Sequence, residues 1–186
     1  MRATLASHND HKLREWRAAL PDWELDLADV ADFPPEEGPT YFDNARAKAR
    51  FGSALRDGWV IGEDSGIEVE ALDWRPGPES ARWAEDGVAE ILRLLDGSAA
   101  RRARYVCEAV AVSAATERRG TGVLEGSIAT ERRGGQGFGY DPIFVPDGET
   151  RTVAELGDAW KAQNSHRARA ARALAEAISA REEAVH

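Results

Sequence analysis

Short apolar stretches alternate with amphipathic stretches along this chain. Ala3 to Ser7 is a short, largely apolar run of the kind that forms a buried strand. From about Asn9 onward, apolar residues recur every three or four positions, as they do on one face of a helix. A second strand is predicted at Trp23 to Leu27. The N-terminal pattern is therefore strand, helix, strand.

The next stretch is rich in proline and acidic residues. Pro34 to Pro39 predicts a loop, because proline fixes its own backbone and cannot donate to a strand ladder. Thr40 and Asp43 then stand three residues apart, the spacing of a capping box that opens a helix. This second helix is predicted to run to about Leu55.

Two apolar runs flank a polar break near the middle of the chain. Trp59 to Gly62 and Ile67 to Leu72 are predicted strands, on either side of the break at Asp64-Ser65-Gly66. Asp64 would then end a strand, at a sheet edge that commonly opens to a ligand. An amphipathic helix is predicted from Val88 to Leu95.

The C-terminal half predicts two long strands, a short strand and a final helix. They lie at Arg104 to Ser113, Thr121 to Thr130, Ile143 to Val145 and about Ser165 to Arg181. The charged connection Glu117 to Gly120 between the two long strands suits a hairpin. Because hairpin strands occur beside helix-connected strands, the sequence predicts an α/β fold with a mixed sheet, in one domain over residues 1–186.

Composition narrows the class of partner. A net charge of −9 with no strongly basic stripe argues against binding of a nucleic acid polymer. No apolar run approaches the ~18 residues of a membrane span, and the first residues do not resemble a secretion signal. Cys107 is the only cysteine and lies in an apolar run, which suits a buried thiol in a reducing compartment. We therefore expect a cytoplasmic protein with no membrane contact.

Three lysines stand out against the arginines. Only Lys12, Lys48 and Lys161 are lysine among the 24 basic side chains. Each lies in a stretch typical of a phosphate or nucleotide site, where a compact ammonium serves better than a planar guanidinium. Chance placement is the alternative interpretation.

The junction of the first strand and helix is a candidate anion site. Free backbone N–H groups and the positive end of the helix dipole favour an anion there, and Ser7, Asn9 and Lys12 add donors. An ordinary helix cap by Ser7 or Asn9, with Lys12 in solvent, would explain the same residues. The Gly-x4-Gly-Lys-Ser/Thr pattern of a P-loop is missing.

Glu36 and Asp64 are candidate metal ligands on separate loops. Two hard carboxylates suit Mg²⁺, which keeps several waters and bridges substrate phosphates. The alternative is that they are solvated loop carboxylates. Ser65 is not interpreted as a nucleophile, because no Gly-x-Ser-x-Gly elbow surrounds it.

The segment Phe138-Gly139-Tyr140-Asp141 is a candidate base-binding site. An aromatic face can stack on a base, a carboxylate can accept its N–H groups, and glycine allows close approach. A glycine-rich hairpin turn is the alternative. A dinucleotide fingerprint is excluded, since Pro142 and a strand follow where a helix is required.

The last helix begins with an unfavourable cluster of positive charge. His166, Arg167 and Arg169 lie in its first turn, where the dipole disfavours cations by about 0.3–1 kcal/mol each when exposed. A nearby anion or acceptor-rich ligand would explain the arrangement, and Lys161 lies just upstream. A surface helix in an arginine-rich protein is the alternative.

Taken together, six blocks strongly resemble the inosine triphosphate pyrophosphatase family, also called Ham1 proteins, over nearly the whole chain. They are Ala3 to Glu15, Thr40 to Ala49, Glu63 to Ile67, Ser80 to Arg82, Phe138 to Phe144 and Ser165 to Arg167. The resemblance implies an elongated mixed sheet flanked by helices, with two lobes around a central cleft, and a homodimer. It also implies Mg²⁺-dependent hydrolysis of ITP, dITP or XTP to the monophosphate and pyrophosphate.

The resemblance carries roles onto matching residues. Asp64 would be the catalytic base, and Glu36 with Asp64 would bind Mg²⁺. The phosphates would be held by Ser7, His8, Asn9, Asp10, His11, Lys12, Lys48 and Ser65. The base would be held by Phe138, Gly139, Tyr140, Asp141, Lys161, His166 and Arg167.

Some positions depart from the common family pattern. Glu63 replaces a frequent aspartate, Asp73-Trp74-Arg75 replaces a glycine-rich turn, and His8 is unusual beside a phosphate loop. Two other functions stay open: a Maf-like pyrophosphatase acting on modified pyrimidine nucleotides, and a nucleotide-binding regulator without catalysis. Glu36, Asp64 and Lys12 argue against the regulator.

Overall fold

The computed structural model describes residues 1–114 and 116–182. The strands are β1 Arg2–Leu5, β2 Glu24–Leu27, β3 Trp59–Val69, β4 Arg75–Pro76, β5 Arg102–Ser113, β6 Thr116–Ile128 and β7 Phe144–Pro146. The helices are α1 Asp10–Ala19, α2 Tyr41–Ser53, α3 Gly87–Leu94, α4 Val153–Leu156, α5 Asp158–Asn164 and α6 His166–Glu182. Within the described residues, no helix combines the length and apolar character needed to cross a bilayer.

These strands form one mixed sheet in the order β2-β1-β3-β5-β6-β7, with β4 beside β3. β1 pairs in parallel with β2 and β3, as connections through helices require. β3, β5, β6 and β7 pair in antiparallel fashion. The predicted α/β fold with a mixed sheet flanked by helices is therefore confirmed.

The predicted break in the middle of the chain is wrong. Trp59 to Val69 is one continuous strand, and Asp64 lies inside it, opposite Glu108 of β5. Asp64 therefore does not end a strand. The polar residues fit because Asp64 faces a cleft, and because the small Gly62 and Gly66 on the same strand face allow other backbone to approach.

β5 and β6 form the predicted hairpin, but the predicted charged connection between them is wrong. Glu117 to Gly120 lie inside β6, and the pairing of Ser113 with Thr116 makes the turn much shorter. The charges are compatible with a strand because they are paired across elements. Arg119 binds Glu108 of the neighbouring strand at 2.7 Å, and Glu117 accepts from Arg46 of α2 at 3.0 Å. Charge alone did not distinguish an exposed loop from a strand face with ionic partners.

Helix boundaries follow their caps. Asn9 caps α1, and the Thr40 hydroxyl caps α2 by accepting from the Asp43 N–H at 3.2 Å. The final helix begins where it was predicted, with Ser165 Oγ accepting from the Ala168 N–H at 3.1 Å. The short helices α4 and α5 were not predicted. With four and seven residues, they are too short to show a helical period.

Helices cover both faces of the sheet, and the side chains of β3 alternate between these faces. Leu5 and Ile61 pack into a core with Trp16 of α1 and Leu174 of α6. On the opposite face, α2 packs so closely that a Cβ on Gly62 would lie 2.0 Å from the Ala45 carbonyl oxygen. Ile61 therefore faces α1 and α6, and Gly62 faces α2. Farther along the strand, Ile67 and Val69 pack with Val88 and Ile91 of α3.

Candidate active site

A cleft of about 520 Å³ lies between the strand-helix junctions and the glycine-rich segment. Its lining includes most of the residues predicted for a nucleotide site. These are Asn9, Lys12, Glu36, Asp64, Ser65, Phe138, Gly139, Tyr140, Asp141, Lys161, His166 and Arg167. Ser7, His8 and Lys48 line an adjoining depression of about 440 Å³, which shares Lys12 and Glu36 with the cleft.

Asp64 is held as an oriented carboxylate at one end of the cleft. Its Oδ2 accepts from the Asn44 amide of α2 at 2.9 Å, and its Oδ1 accepts from the Ser65 N–H at 2.9 Å. Burial raises the pKa of Asp64 above its ordinary value, and Lys48 and the Asn44 hydrogen bond offset this only in part. Glu36 also raises this pKa, because its carboxylate is close enough to repel the charge of Asp64.

Glu36 reaches the cleft from the proline-rich loop and pairs with Lys48 of α2. Asn44 and Lys48 lie one helical turn apart, so α2 presents both to the same end of the cleft. Within the described residues, no cluster of three or more His, Cys, Asp or Glu side chains could hold a metal ion. A cation at Glu36 and Asp64 would therefore take further oxygens from a ligand and from water.

Lys12 and Glu63 form a buried ion pair beside this carboxylate pair. Lys12 contacts Glu63, whose side chain is 1% exposed, and Arg167 donates from Nε to Glu63 at 2.9 Å. Burial alone would raise the pKa of Glu63, but the charges of Arg167 and Lys12 outweigh it and lower this pKa. The two cations therefore favour the ionised form of Glu63 inside the protein.

Arg167 joins three elements below the cleft. Its Nε donates to Glu63, another guanidinium nitrogen contacts Glu15 of α1, and a third donates to Ser65 Oγ at 2.8 Å. Arg167 is buried, with its side chain 3% exposed. Although it lines the cleft as predicted for a base-binding residue, each of its three nitrogens has a protein partner.

Lys161 and Asp141 organise the other end of the cleft. Lys161 Nζ donates to Asp141 at 2.7 Å and also contacts Glu15, and the two carboxylates outweigh burial and raise the pKa of Lys161. Asp141 also accepts from the Phe138 N–H at 2.9 Å, which closes the glycine-rich turn. An ammonium has three donors, so these two contacts leave one N–H of Lys161 without a carboxylate partner among the described residues.

Phe138 and His166 supply aromatic surface at this end. The Lys161 ammonium lies 4.8 Å from the Phe138 ring centroid, and His11 packs against the same ring at 5.3 Å. His166 stacks on Tyr105 at 4.4 Å with nearly parallel rings. Burial, reinforced by Arg167, lowers the pKa of His166 well below its ordinary value, so the imidazole is neutral. Among the described residues, its Nδ1 has no hydrogen-bond partner.

The predicted phosphate loop combines a cap with cleft residues. Asn9 Oδ1 accepts from the N–H groups of His11 and Lys12, at 2.9 and 3.3 Å, so Asn9 is the helix cap considered as an alternative. Lys12 nevertheless lines the cleft rather than extending into solvent. Asp10 and His11 are exposed and do not line the cleft.

His8 has an interaction that sequence reasoning did not assign. Its Nε2 lies 2.8 Å from the Val30 carbonyl oxygen, and its ring packs at 4.8 Å from Phe33. His8 thereby attaches the loop that carries Glu36 to the end of β1.

Sequence reasoning missed the roles of Asn44, Glu15 and Glu63. Asn44 stood in the block Thr40 to Ala49 but was given no role of its own. Glu15 and Glu63 stood inside recognised blocks, but their pairing with Lys12, Lys161 and Arg167 depends on three elements meeting in space. The spacing of Asn44 and Lys48 by four residues was the signal available for Asn44.

Comparisons with known proteins place this geometry in a family. The family model described as the Ham1 family matches residues 3–177. A dITP/XTP pyrophosphatase of Bdellovibrio bacteriovorus is 38% identical, with 96% of this chain and 98% of the relative covered. A dITP/XTP pyrophosphatase of Leifsonia xyli is 41% identical, with 97% and 96% covered.

Solved structures agree with these relatives. The Ham1 protein of Staphylococcus aureus has a TM-score of 0.81 at 31% identity, with 100% of both chains covered. A HAM1 protein from Coxiella burnetii has a TM-score of 0.85 at 31% identity, with 97% of this chain and 99% of that chain covered. The resemblance inferred from the six sequence blocks is confirmed, and the chain belongs to the Ham1 family.

Proposed function

We propose that this protein hydrolyses non-canonical purine nucleoside triphosphates, namely ITP, dITP and XTP, to the monophosphate and pyrophosphate. Family membership and the names of the relatives support the reaction class. The observation that carries the proposal is one cleft with Glu36, Asp64 and Lys12 at one end and Phe138 and Lys161 at the other. Such a cleft can hold a polyanion and a base at the same time.

Mg²⁺ is the cofactor we propose for this reaction. Glu36 and Asp64 suit Mg²⁺, because two hard carboxylates facing one cleft repel each other and a divalent cation between them would relieve that repulsion. When bound, the ion would neutralise phosphate charge and activate water. Lys48, paired with Glu36, would direct that carboxylate at the cleft.

Asp64 is the proposed general base. Asn44 and the Ser65 N–H fix both of its oxygens, so the carboxylate has a defined direction into the cleft. Its raised pKa makes it a better proton acceptor than an ordinary aspartate, provided that it remains ionised. Lys12 would stabilise charge on the phosphates, and Ser65 would contribute a further polar contact.

Base selectivity is proposed to come from donors near Phe138. The free N–H of Lys161 can donate to a 6-oxo group, whereas adenine presents a 6-amino donor that would leave both groups unpaired. The neutral His166, with its unpartnered Nδ1, is a second polar group in this wall. GTP shares the 6-oxo group, so its exclusion needs contacts at another position of the ring.

The substitution Asp64→Asn tests the mechanism. The introduced amide has nearly the size of the carboxylate but is not a proton acceptor, so pyrophosphate release from ITP should fall by roughly 10²- to 10⁴-fold. The unfolding transition should stay close to that of the native chain. Native turnover in the variant would exclude Asp64 as the base.

Assembly is proposed from the family resemblance, and location from the sequence composition. We propose a homodimer in the cytoplasm, with the nucleotide as small-molecule partner. Sedimentation equilibrium separates the mass of one chain from that of two, and the mass of one chain at micromolar concentration would refute the dimer.

A further inference from the structure

An unbroken chain of alternating charges runs beneath the cleft from its phosphate end to its base end. Its members, in order, are Lys12, Glu63, Arg167, Glu15, Lys161 and Asp141. Each member contacts the next, with Arg167 Nε to Glu63 at 2.9 Å and Lys161 Nζ to Asp141 at 2.7 Å. Such a series is coupled, because moving one charge changes the energy of both of its neighbours.

Glu63 differs from the charged residues around it in its access to the cleft. Lys12, Arg167 and Asp64 line the cleft, whereas Glu63 does not, and its side chain is 1% exposed. A nucleotide in the cleft therefore cannot contact Glu63 directly. An effect of Glu63 on the reaction is therefore indirect, and the two cleft-lining side chains that it contacts are Lys12 and Arg167.

We propose that Glu63 is a positioning residue that fixes the Lys12 ammonium for phosphate binding and links it to the base end through Arg167. This inference rests on the proposed function. Lysine has a long side chain that loses rotamer freedom when it is fixed. A buried carboxylate on a central strand supplies a rigid partner for it, and Arg167 restrains the same carboxylate from α6.

The position of Glu63 on β3 explains why it can have this role beside Asp64. Consecutive strand residues point to opposite faces of the sheet, so Asp64 faces α2 and Glu63 faces α1 and α6. Lys12 lies on α1 and Arg167 on α6. One strand thus presents a carboxylate to the cleft and a different carboxylate to the cations around it.

The substitution Glu63→Gln tests the proposal, because it removes the charge of the side chain and changes its size little. The variant loses the charge that holds Lys12, so we expect at least a tenfold weaker binding of inorganic pyrophosphate, measured by calorimetry in MgCl₂, and a similar or larger loss in kcat/KM for ITP. Glu63→Asp keeps the charge but shortens the reach by one methylene, so its loss should be smaller. Glu68→Gln is the matched control, since Glu68 lies on the same strand, pairs with Arg104 at 2.6 Å and does not line the cleft.

A double-mutant cycle with Lys12→Met separates positioning from a general structural role. If Glu63 acts through Lys12, Glu63→Gln should weaken pyrophosphate binding much less in the Lys12→Met background than in the native chain. Equal losses in both backgrounds, or native binding by Glu63→Gln, would overturn the proposal. Should Glu63→Gln fail to fold, Glu63→Asp carries the same cycle.

The native chain separates this inference from the proposed function. If the native chain neither binds pyrophosphate nor hydrolyses ITP, the proposed function fails. If the native chain does both and the Glu63 variants do so equally well, the function stands and the positioning role of Glu63 is refuted.

Discussion

Glu63 and Asp64 are adjacent acidic residues whose pKa values are shifted in opposite directions. Both are buried, and burial acts in the same direction on both. Glu63 lies between Lys12 and Arg167, whose charges lower its pKa, while Asp64 shares its surroundings with Glu36 and keeps a raised pKa. Two neighbouring carboxylates are thus suited to different tasks, one as a fixed counter-ion and the other as a proton acceptor.

His166 gives a prediction for stability against pH. Its pKa is lowered in the folded protein, so below about pH 6.5 the unfolded chain takes up a proton that the folded chain excludes. The free energy of unfolding should therefore decrease as the pH is lowered. From pH 7.5 to 5.5, His166 should contribute a loss of about 1.4 kcal/mol. His166→Phe keeps a ring against Tyr105 and removes this contribution.

The measurement is urea unfolding of both proteins at the two pH values. The native chain should lose more free energy of unfolding than the variant over this interval. Equal losses would show that His166 takes up its proton in the folded state as readily as in the unfolded state.

At the scale of elements, the position of α6 depends on glycines in β6. A Cβ on Gly122 would lie 1.9 Å from the His166 carbonyl oxygen and 2.5 Å from the Ala170 nitrogen. Gly120 makes a similar close approach to Ala170 and Leu174. Because α6 begins with His166 and Arg167, this packing also sets the position of two cleft residues.

Gly122→Ala should therefore disturb both stability and the site. The added methyl must push α6 away from the sheet, which should cost about 1–3 kcal/mol in the free energy of unfolding and lower kcat/KM for ITP. Gly135→Ala is the control, because its added Cβ meets no atom within 4 Å. Unfolding free energies that are equal in the two variants would contradict the packing argument.

Some of the helices and strands could be predicted from the sequence, and the extent of others could not. Helices α1, α2 and α6 could be predicted because caps and apolar periods are local signals. The continuity of β3 through Asp64, and the extension of β6 through Glu117, could not be predicted in the same way. Their polar residues have partners on other elements, such as Asn44 for Asp64 and Arg46 for Glu117.

The candidate site shows the same division between local and non-local information. Lys12 and Asp64 stand in recognisable blocks, and Lys161 stood out as one of only three lysines, so these cleft residues could be named from the sequence. The roles of Glu15 and Glu63 depend on ion pairs that form only where α1, β3 and α6 come together in the fold. Residues that position other side chains are therefore harder to recognise from the sequence than residues that line the cleft.

At the scale of the whole molecule, the sheet brings distant segments to one cleft. Lys12 follows β1, Asp64 lies in β3, and Lys161 lies on α5 near the end of the chain. Glu36, Asp64 and Lys12 occupy one end of the cleft, and Phe138 and Lys161 occupy the other. The proposed function therefore requires a substrate that carries both a polyphosphate and a purine with a 6-oxo group.

The decisive measurement is of pyrophosphate release, with and without Mg²⁺. The substrates are ITP, XTP, dITP, ATP, GTP and a modified pyrimidine triphosphate. We predict strong Mg²⁺-dependent release from ITP, XTP and dITP, and little from ATP and GTP. Release of orthophosphate, preference for the pyrimidine nucleotide, or no turnover with any substrate would contradict it.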